Sequence, residues 1–242
     1  MHTPRFQTTL LVKNWGQFEG GFMKKNLIES ALNLFFPPAC GFCGEITDSY
    51  LCKYCSNYLK TRQLNKINEY EDKFFTTHLW LFEYKDEVRE KIIDYKFNDK
   101  SYLYRTFTQI ILSDESVCNY IKEFDMIIPV PIHKKRRKSR GYNQSELIAK
   151  EIARKLKNIE LKTDIIEKIK NIKPQSTLTK EQRIENVNNA YKLIKFNNDN
   201  LENKKLLLLD DVYTTGSTVN ECAKMLSNSN CKRIGIITLA KD

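Results

Sequence analysis

Two adjacent carboxylates follow a strongly apolar segment near the C-terminus of the chain. Leucines occupy 206–209, and Asp210 and Asp211 come directly after them. A turn of small polar residues then leads into a predicted helix; its members are Thr214, Thr215, Gly216, Ser217 and Thr218. Backbone N–H groups and hydroxyls in such a turn, at the positive end of a helix, are well suited to bind phosphate. The carboxylates are not suited to that anion, and they fit two neighbouring ribose hydroxyls or a divalent metal instead.

A phosphate next to a diol is the chemistry of ribose 5-phosphate. The predicted position agrees, because ligands of open α/β sheets bind beyond the carboxyl ends of the strands. Gly216 permits the backbone to approach a ligand closely. The alternative is an ordinary strand-to-helix turn, in which Thr and Ser cap the helix and the acids are incidental.

A densely basic segment covers 133–144, with six Lys and Arg residues in the eight positions 133–140. Glycine, polar side chains and repulsion between like charges predict a mobile loop that a polyanion would order. Its basic residues are Lys134, Lys135, Arg136, Arg137, Lys138 and Arg140. From the residues alone, two interpretations stay open: a single-stranded nucleic-acid contact with Tyr142 as a stacking surface, or a solvated charged run.

Four cysteines form two C-x-x-C pairs, Cys40 with Cys43 and Cys52 with Cys55. Two close pairs of thiolates suit a tetrahedral zinc ion, and so short a segment lacks the apolar mass to fold unaided. Disulfides are the competing interpretation, which is disfavoured because nothing in the sequence directs the chain to an oxidising compartment.

The 242-residue chain carries 40 Lys and Arg against 30 Asp and Glu, a net charge of +10. This excess predicts either an anionic partner or a solvated basic surface. No apolar run approaches the roughly 18 residues of a membrane span, and the apolar stretch at 10–12 is too short for a signal peptide. We therefore expect no membrane span and a cytoplasmic location.

Alternating strands and helices are predicted to position these residues. The expected strands are 78–84, 125–130, 205–210 and 233–239, with weaker ones near 165–166 and 191–196. The expected helices are 24–35, 88–97, 102–112, 143–156 and 218–226. This alternation is typical of parallel βαβ units and predicts an α/β sheet. The predicted organisation is a polar leader at 1–22, a helix with the cysteine module at 23–60, a linker at 61–77 and the main domain at 78–242.

The segment 206–218 resembles the signature of type I phosphoribosyltransferases that binds phosphoribosyl pyrophosphate (PRPP): a hydrophobic strand, two acids, a hydrophobic pair and T-T-G-S-T. The cysteine pairs and the segments 128–153 and 175–191 extend the resemblance to the ComF family of competence-associated phosphoribosyltransferase-like proteins. The resemblance covers nearly all of the chain after Met23.

The resemblance implies a type I phosphoribosyltransferase fold with an N-terminal zinc module. It further implies that Asp210 and Asp211 hold the ribose hydroxyls, that 214–218 hold the 5-phosphate, and that Mg²⁺ accompanies PRPP. By the same resemblance, 131–135 would line the pyrophosphate site, and the basic residues of 136–140 would close over it. A flexible loop would close over the ligand with Gln175, Arg183 and Asn186.

Two functions are consistent with these features. In one, PRPP is a ligand of a DNA-uptake protein that binds single-stranded DNA and works with a competence helicase or DNA-processing protein. In the other, the protein is a metabolic transferase that displaces pyrophosphate from PRPP with a nitrogen nucleophile. The sequence identifies neither the acceptor nor a general base.

Overall fold

The structure, a computed structural model of the chain, describes residues 37–171, 189–194 and 201–242. The chain divides into two units, Met1–Pro38 and Ala39–Asp242. All of the helices and strands described belong to the second unit. The leader and first helix that the sequence predicts, and the loop residues Gln175, Arg183 and Asn186, lie outside the described residues.

Helices and strands alternate along the described chain. The helices are Lys53–Lys60 (α1), Asp86–Phe97 (α2), Leu103–Leu112 (α3), Glu115–Lys122 (α4), Lys134–Arg140 (α5), Gln144–Leu156 (α6) and Ser217–Ser227 (α7). The strands are Lys66–Glu69 (β1), Thr77–Glu83 (β2), Met126–Pro129 (β3), Glu160–Leu161 (β4), Ile166–Lys168 (β5), Tyr191–Leu193 (β6), Lys205–Tyr213 (β7) and Arg233–Lys241 (β8).

Within the described residues, a six-stranded sheet has the order β1-β2-β8-β7-β3-β4. Its strands pair in parallel except for β1, which runs antiparallel to β2 at the edge. Strand β7 pairs with β3 on one side and with β8 on the other, and its four leucines are buried. A central parallel strand is covered on both faces, which explains the uninterrupted leucine run. The predicted α/β sheet is confirmed.

Two apolar clusters pack on opposite faces of the sheet. Leu207 and Leu209 of β7 belong to the first cluster, with buried residues of α2, α3, α4 and α6. Leu206 and Leu208 belong to the second, with α7 and with a separate antiparallel hairpin made of β5 and β6. Because side chains alternate along a strand, consecutive residues of β7 contact different layers. This alternation decides which layer each carboxylate at the end of β7 faces.

The segment 61–77, which the sequence predicts as a linker, contributes strand β1 to the sheet. Trp80 of β2 contacts β1 in two ways. Its indole Nε1 donates a 2.7 Å hydrogen bond to Asn68 Oδ1, and its backbone lies opposite Lys66 in the strand pairing. Leu59 of α1 is also buried in the first cluster of the main sheet. The cysteine segment and the sheet therefore share a core, where the sequence had suggested separate ones.

The basic segment also differs from its prediction, because 134–140 is a helix and not a loop. The His133 side chain accepts a hydrogen bond from the backbone N–H of Lys135 at 3.2 Å. Gly141 ends the helix with a φ of 86°, a conformation that glycine adopts without strain. Capping at both ends and ion pairs to other elements compensate for the repulsion among the basic side chains.

Across the described part of the chain, we found no helix that combines the length and apolar character needed to cross a membrane.

Candidate functional site

Asp210 and Asp211 lie near the C-terminal end of β7 and face opposite layers of the fold. Asp210 lies opposite Thr238 of β8, and its Oδ1 accepts the backbone N–H of Asp211 at 2.9 Å. The Ser145 hydroxyl lies 3.4 Å from the same oxygen. Burial, followed by the neighbouring Asp211 charge, raises the pKa of Asp210 to about 7. Asp210 is thus a carboxyl group that a cation or hydroxyl ligand would help to ionise.

Asp211 has its own counter-ion within the protein. Lys96 of α2 places Nζ 2.7 Å from Asp211 Oδ1, and both side chains are largely buried. Two adjacent carboxylates with no cation nearby would only repel each other in the empty protein. The ion pair changes this for Asp211, since loss of its carboxylate would leave Lys96 without a partner.

The turn after β7 has the geometry of a phosphate cradle. Gly216 caps α7 with a φ of 73°, and a Cβ there would lie 2.2 Å from the Tyr213 hydroxyl. The Thr215 and Ser217 hydroxyl oxygens are 2.6 Å apart. A pocket at this point is lined by Asp210, Val212, Tyr213, Thr214, Gly216, Ser217, Thr218 and Val219. A side chain at position 216 would therefore collide with Tyr213, which lines the same pocket.

The basic helix α5 divides its charges between two faces. Arg136 and Arg140 are half-buried, and the Arg140 guanidinium lies 5.2 Å from the Phe97 ring centroid. Burial lowers the pKa of Arg140, while the charge of Asp211 acts in the opposite direction. The site-facing charges of this helix are therefore those of Arg136 and Arg140.

The remaining basic residues of α5 are exposed. Lys134 pairs with Glu167 at 2.7 Å, and Arg137 pairs with Glu146 through two contacts of 2.8 and 3.1 Å. Lys135 and Lys138 have no ion pair among the described residues and lie on the solvent side. The helix thus offers one face to the site and two unpaired lysines to solvent.

The four cysteines of the two C-x-x-C pairs come together. Their Sγ atoms all lie within 4.8 Å of one another, and those of Cys43 and Cys52 are 3.7 Å apart. A regular tetrahedron with metal–sulfur bonds of about 2.3 Å requires a sulfur separation of about 3.8 Å. The cluster therefore fits a tetrahedral metal ion.

Hydrogen bonding prepares one of these thiols to ionise. Burial opposes ionisation of Cys40, but backbone hydrogen bonds from Cys43, Cys52 and Phe42 outweigh it and lower its pKa to about 7. The thiolate is the form that binds metal.

The cysteine module packs directly on α3. Gly41 lies so close that a Cβ there would approach Thr106 Oγ1 to 2.3 Å. Thr106 Oγ1 donates to the Tyr50 carbonyl at 2.9 Å, and the Tyr50 N–H donates to Gln109 Oε1 at 3.1 Å. Loss of a cysteine is therefore expected to disturb the packing of α3 as well as the module itself.

Comparison with known proteins agrees with this geometry. The phosphoribosyl transferase domain model matches residues 143–242, which include the carboxylates and the cradle. Competence protein F of Haemophilus influenzae is 28% identical over 207 residues, covering 84% of this chain and 85% of that protein. Competence protein ComFC of Streptococcus pneumoniae is 24% identical over 206 residues, and the alignment covers 84% of this chain and 87% of that protein. DNA utilization protein YhgH of Escherichia coli O157:H7 is 30% identical over 117 residues, 48% of this chain and 49% of that protein.

Residues 143–242 match the phosphoribosyl transferase domain, and the relatives support a ComF-family protein of the type I phosphoribosyltransferase class. The predicted fold class is thereby confirmed, including its N-terminal four-cysteine module. The ligand roles of the individual residues remain predictions.

Sequence reasoning missed four residues that contribute to the site of this ComF-like chain. Lys96 and Lys168 lie on elements with no motif of their own, and only the fold brings them near the carboxylates. Buried polar residues open α6, where Asn143 donates to the Val130 carbonyl at 3.0 Å and Ser145 contacts Asp210. The polar run at 143–145, at the start of an otherwise amphipathic helix, was the available signal.

The two carboxylates of the ComF-like chain predict opposite effects on stability. The raised pKa of Asp210 means that the native state keeps a proton that the unfolded state loses, so stability falls as pH rises from about 4 to about 7. Asp210→Asn should remove this cost and raise the free energy of unfolding at neutral pH by roughly 1–4 kcal/mol. Asp211→Asn should lower the free energy of unfolding by roughly 1–3 kcal/mol, because Lys96 loses its partner.

Chemical denaturation of both variants across this pH range is the measurement. The stability of Asp210→Asn should depend less on pH than that of the parent. Equal destabilisation by the two substitutions would contradict the assignment of different environments.

Proposed function

We propose that this ComF-like protein binds PRPP at the carboxyl edge of its sheet and acts in the handling of DNA during natural transformation. One observation carries the proposal: paired carboxylates, a phosphate cradle and a cationic helix face converge at one edge of the sheet. The printed names of the relatives, two competence proteins and a DNA utilization protein, support the biological role. We propose that this role is carried out in the cytoplasm, with a competence helicase or DNA-processing protein as a further partner.

Each group in the proposed PRPP site has a distinct task. Asp210 and Asp211 accept hydrogen bonds from the ribose hydroxyls, and the 214–218 turn holds the 5-phosphate through N–H groups and hydroxyls. Arg140 neutralises the pyrophosphate, and Arg136 neutralises a phosphate group of the same ligand. Mg²⁺ bound with PRPP would neutralise part of the same charge, in a site where carboxylates and phosphates supply oxygen ligands. The proposed loop residues Gln175, Arg183 and Asn186 complete the assignment.

A transferase activity at the same site is the second candidate. The inward face of α5 favours it, because cations there would stabilise a departing pyrophosphate. In this reaction a nitrogen acceptor forms a bond to C1 of PRPP, the bond from C1 to the pyrophosphate oxygen breaks with its electron pair, and the acceptor nitrogen releases a proton. Release of pyrophosphate in the presence of an acceptor distinguishes this activity from binding alone.

Two substitutions test the PRPP site by calorimetry. Asp210→Ala should weaken binding of Mg²⁺–PRPP by about 10- to 100-fold, the value of one charge-assisted hydrogen bond. Gly216→Ala should weaken it comparably, because the new methyl group collides with Tyr213 and the φ of 73° strains the backbone.

Gly44→Ala is the matched control for backbone strain, since Gly44 has a φ of 80° but no neighbour within 4 Å of an added Cβ. It lies in the cysteine module and should leave PRPP affinity unchanged. Parent-like binding by both site variants would refute the assignment of the cradle and of the Asp210 carboxylate.

We propose that the metal of the cysteine module is a structural zinc ion, bound by Cys40, Cys43, Cys52 and Cys55. Protein purified without chelator should contain about one zinc ion per chain. Because Leu51 and Leu59 belong to the core that covers the sheet, chelation should lower the melting temperature of the whole unit in one transition.

Calorimetric scanning before and after chelation measures this effect. Cys231→Ser removes a thiol outside the cluster and should retain the zinc and the parent melting transition. Folded, reduced protein without metal would contradict the zinc assignment, and a separate low-temperature transition would contradict the shared core.

We also propose that single-stranded DNA contacts the solvent face of α5. Its two exposed, unpaired lysines, Lys135 and Lys138, are the candidates. If both contact phosphates, their joint replacement by Ala should reduce the slope of log affinity against log salt by about 1.4, at roughly 0.7 per contact.

The control replaces Lys150 and Lys155, two exposed lysines on the neighbouring helix α6. Loss of the same net charge there should leave the slope close to that of the parent. A slope that both pairs alter equally would indicate a general charge effect and no defined contact at α5.

A further inference from the structure

A buried lysine with no counter-ion lies beside the candidate site, in the hairpin formed by β5 and β6. Lys168 is only 9% exposed, and no carboxylate of the described residues lies within ion-pair distance of its Nζ. Its ammonium lies 5.0 Å from the ring centroid of Tyr191, the residue opposite it in the hairpin. An unpaired buried ammonium costs folding free energy, so its presence calls for a ligand or a structural reason.

The position of Lys168 is set by the packing of the β5–β6 hairpin on α7. Ile166 and Tyr191 are buried against Val219 and Cys222 of α7, the helix that begins at the phosphate cradle. Lys168 shares the face of the hairpin that Ile166 uses, because the two residues are separated by one position on the strand. The opposite face carries Glu167, which pairs with Lys134 and Lys192.

Arg136 of α5 is the second cation at this place. Burial, followed by the charge of Arg136, lowers the pKa of Lys168 to about 8, and the charge of Asp210 acts in the opposite direction. The Lys134–Glu167 ion pair joins α5 to the hairpin one residue before Lys168, so Arg136 and Lys168 lie on neighbouring elements. Among the described residues, Arg136 also lacks an ion pair, whereas its neighbours Lys134 and Arg137 have glutamate partners.

Two cations on neighbouring elements, neither with an ion pair among the described residues, favour the binding of an anion. We propose that Lys168 and Arg136 jointly bind one phosphate group of the ligand, with Lys168 as the contribution of the hairpin layer. This inference rests on the proposed PRPP site and adds a ligand residue to it. The shared chemistry is a phosphoryl group, which is either the 5-phosphate or the pyrophosphate of PRPP.

Lys168→Met is the decisive variant, because methionine fills a similar buried volume without the charge. It should weaken Mg²⁺–PRPP binding by about 10- to 100-fold while the melting temperature stays equal to that of the parent or rises. A lysine that serves only the fold gives the reverse pattern, a lower melting temperature with unchanged affinity. Lys192→Met, on the solvent side of the same hairpin, should leave affinity unchanged.

Arg136→Met keeps the test decisive if Lys168→Met does not fold, since Arg136 is half-exposed. Parent and variant are titrated with ribose 5-phosphate and with Mg²⁺–pyrophosphate separately, and the ligand whose affinity falls identifies the phosphate. If both cations bind the same group, the double variant should lose less affinity than the product of the two single losses.

The outcomes separate this inference from the proposed function. Parent protein that binds PRPP, with Lys168→Met and Arg136→Met binding equally well, overturns the inference and leaves the function standing. Parent protein that does not bind PRPP, but binds pyrophosphate or ribose 5-phosphate in a manner lost in the variants, overturns the function and supports the anion site. Parent protein that binds none of the three ligands overturns both.

Discussion

The site depends on how β7 presents two consecutive carboxylates at its end. The strand is buried on both faces and paired on both edges, so Asp210 and Asp211 must point into different layers. Each layer treats its carboxylate differently. Lys96 neutralises Asp211 from the α2 side, whereas Asp210 lies in a buried position that raises its pKa. One acid is thus held ready as an ion, and the other becomes fully ionised only at a cost that a ligand can offset.

The cations near the site are likewise divided between the two layers that cover the sheet. The charge of Asp211 acts on Arg140, and the charges of Arg136 and Asp210 both act on Lys168. The outward residues Lys134 and Arg137 are tied to Glu167 and Glu146. Ion pairs on the outer face fix the helix, so that its inner face keeps unpaired charge next to the carboxylates. A site built in this way trades stability of the empty protein for affinity, because unpaired buried charge is a cost until an anion arrives.

Local signals made most of the sheet predictable. The leucine run, the two acids and the small-residue turn are consecutive in sequence, and the structure has them as a strand, its end and a helix start. The two cysteine pairs were equally local, and their four sulfurs converge. The ligand roles of these residues remain predictions, but their spatial grouping agrees with the sequence pattern.

The failures have a common physical cause in contacts between distant parts of the chain. Repulsion within 134–140 suggested a loop, yet the ion pairs that compensate for it come from Glu146 and Glu167. The polar segment before β2 suggested a linker, yet Asn68 of that segment bonds to Trp80. Lys168 belongs to no motif, since only the position of the hairpin on α7 brings it to the site. Sequence patterns report local preference, and tertiary contacts override it.

The shared core connects the cysteine module to the carboxylates by continuous packing. The module packs on α3 through Gly41, and its helix α1 reaches α2, where the Tyr58 hydroxyl donates to Glu87 at 2.7 Å. The buried residues Val88, Ile92 and Tyr95 of α2 belong to the same cluster as the module cysteines. Lys96 follows Tyr95 directly, so the position of the Asp211 counter-ion depends on how α2 is packed. A metal ion that orders the four cysteines would therefore also stabilise the helix that neutralises one carboxylate of the candidate site.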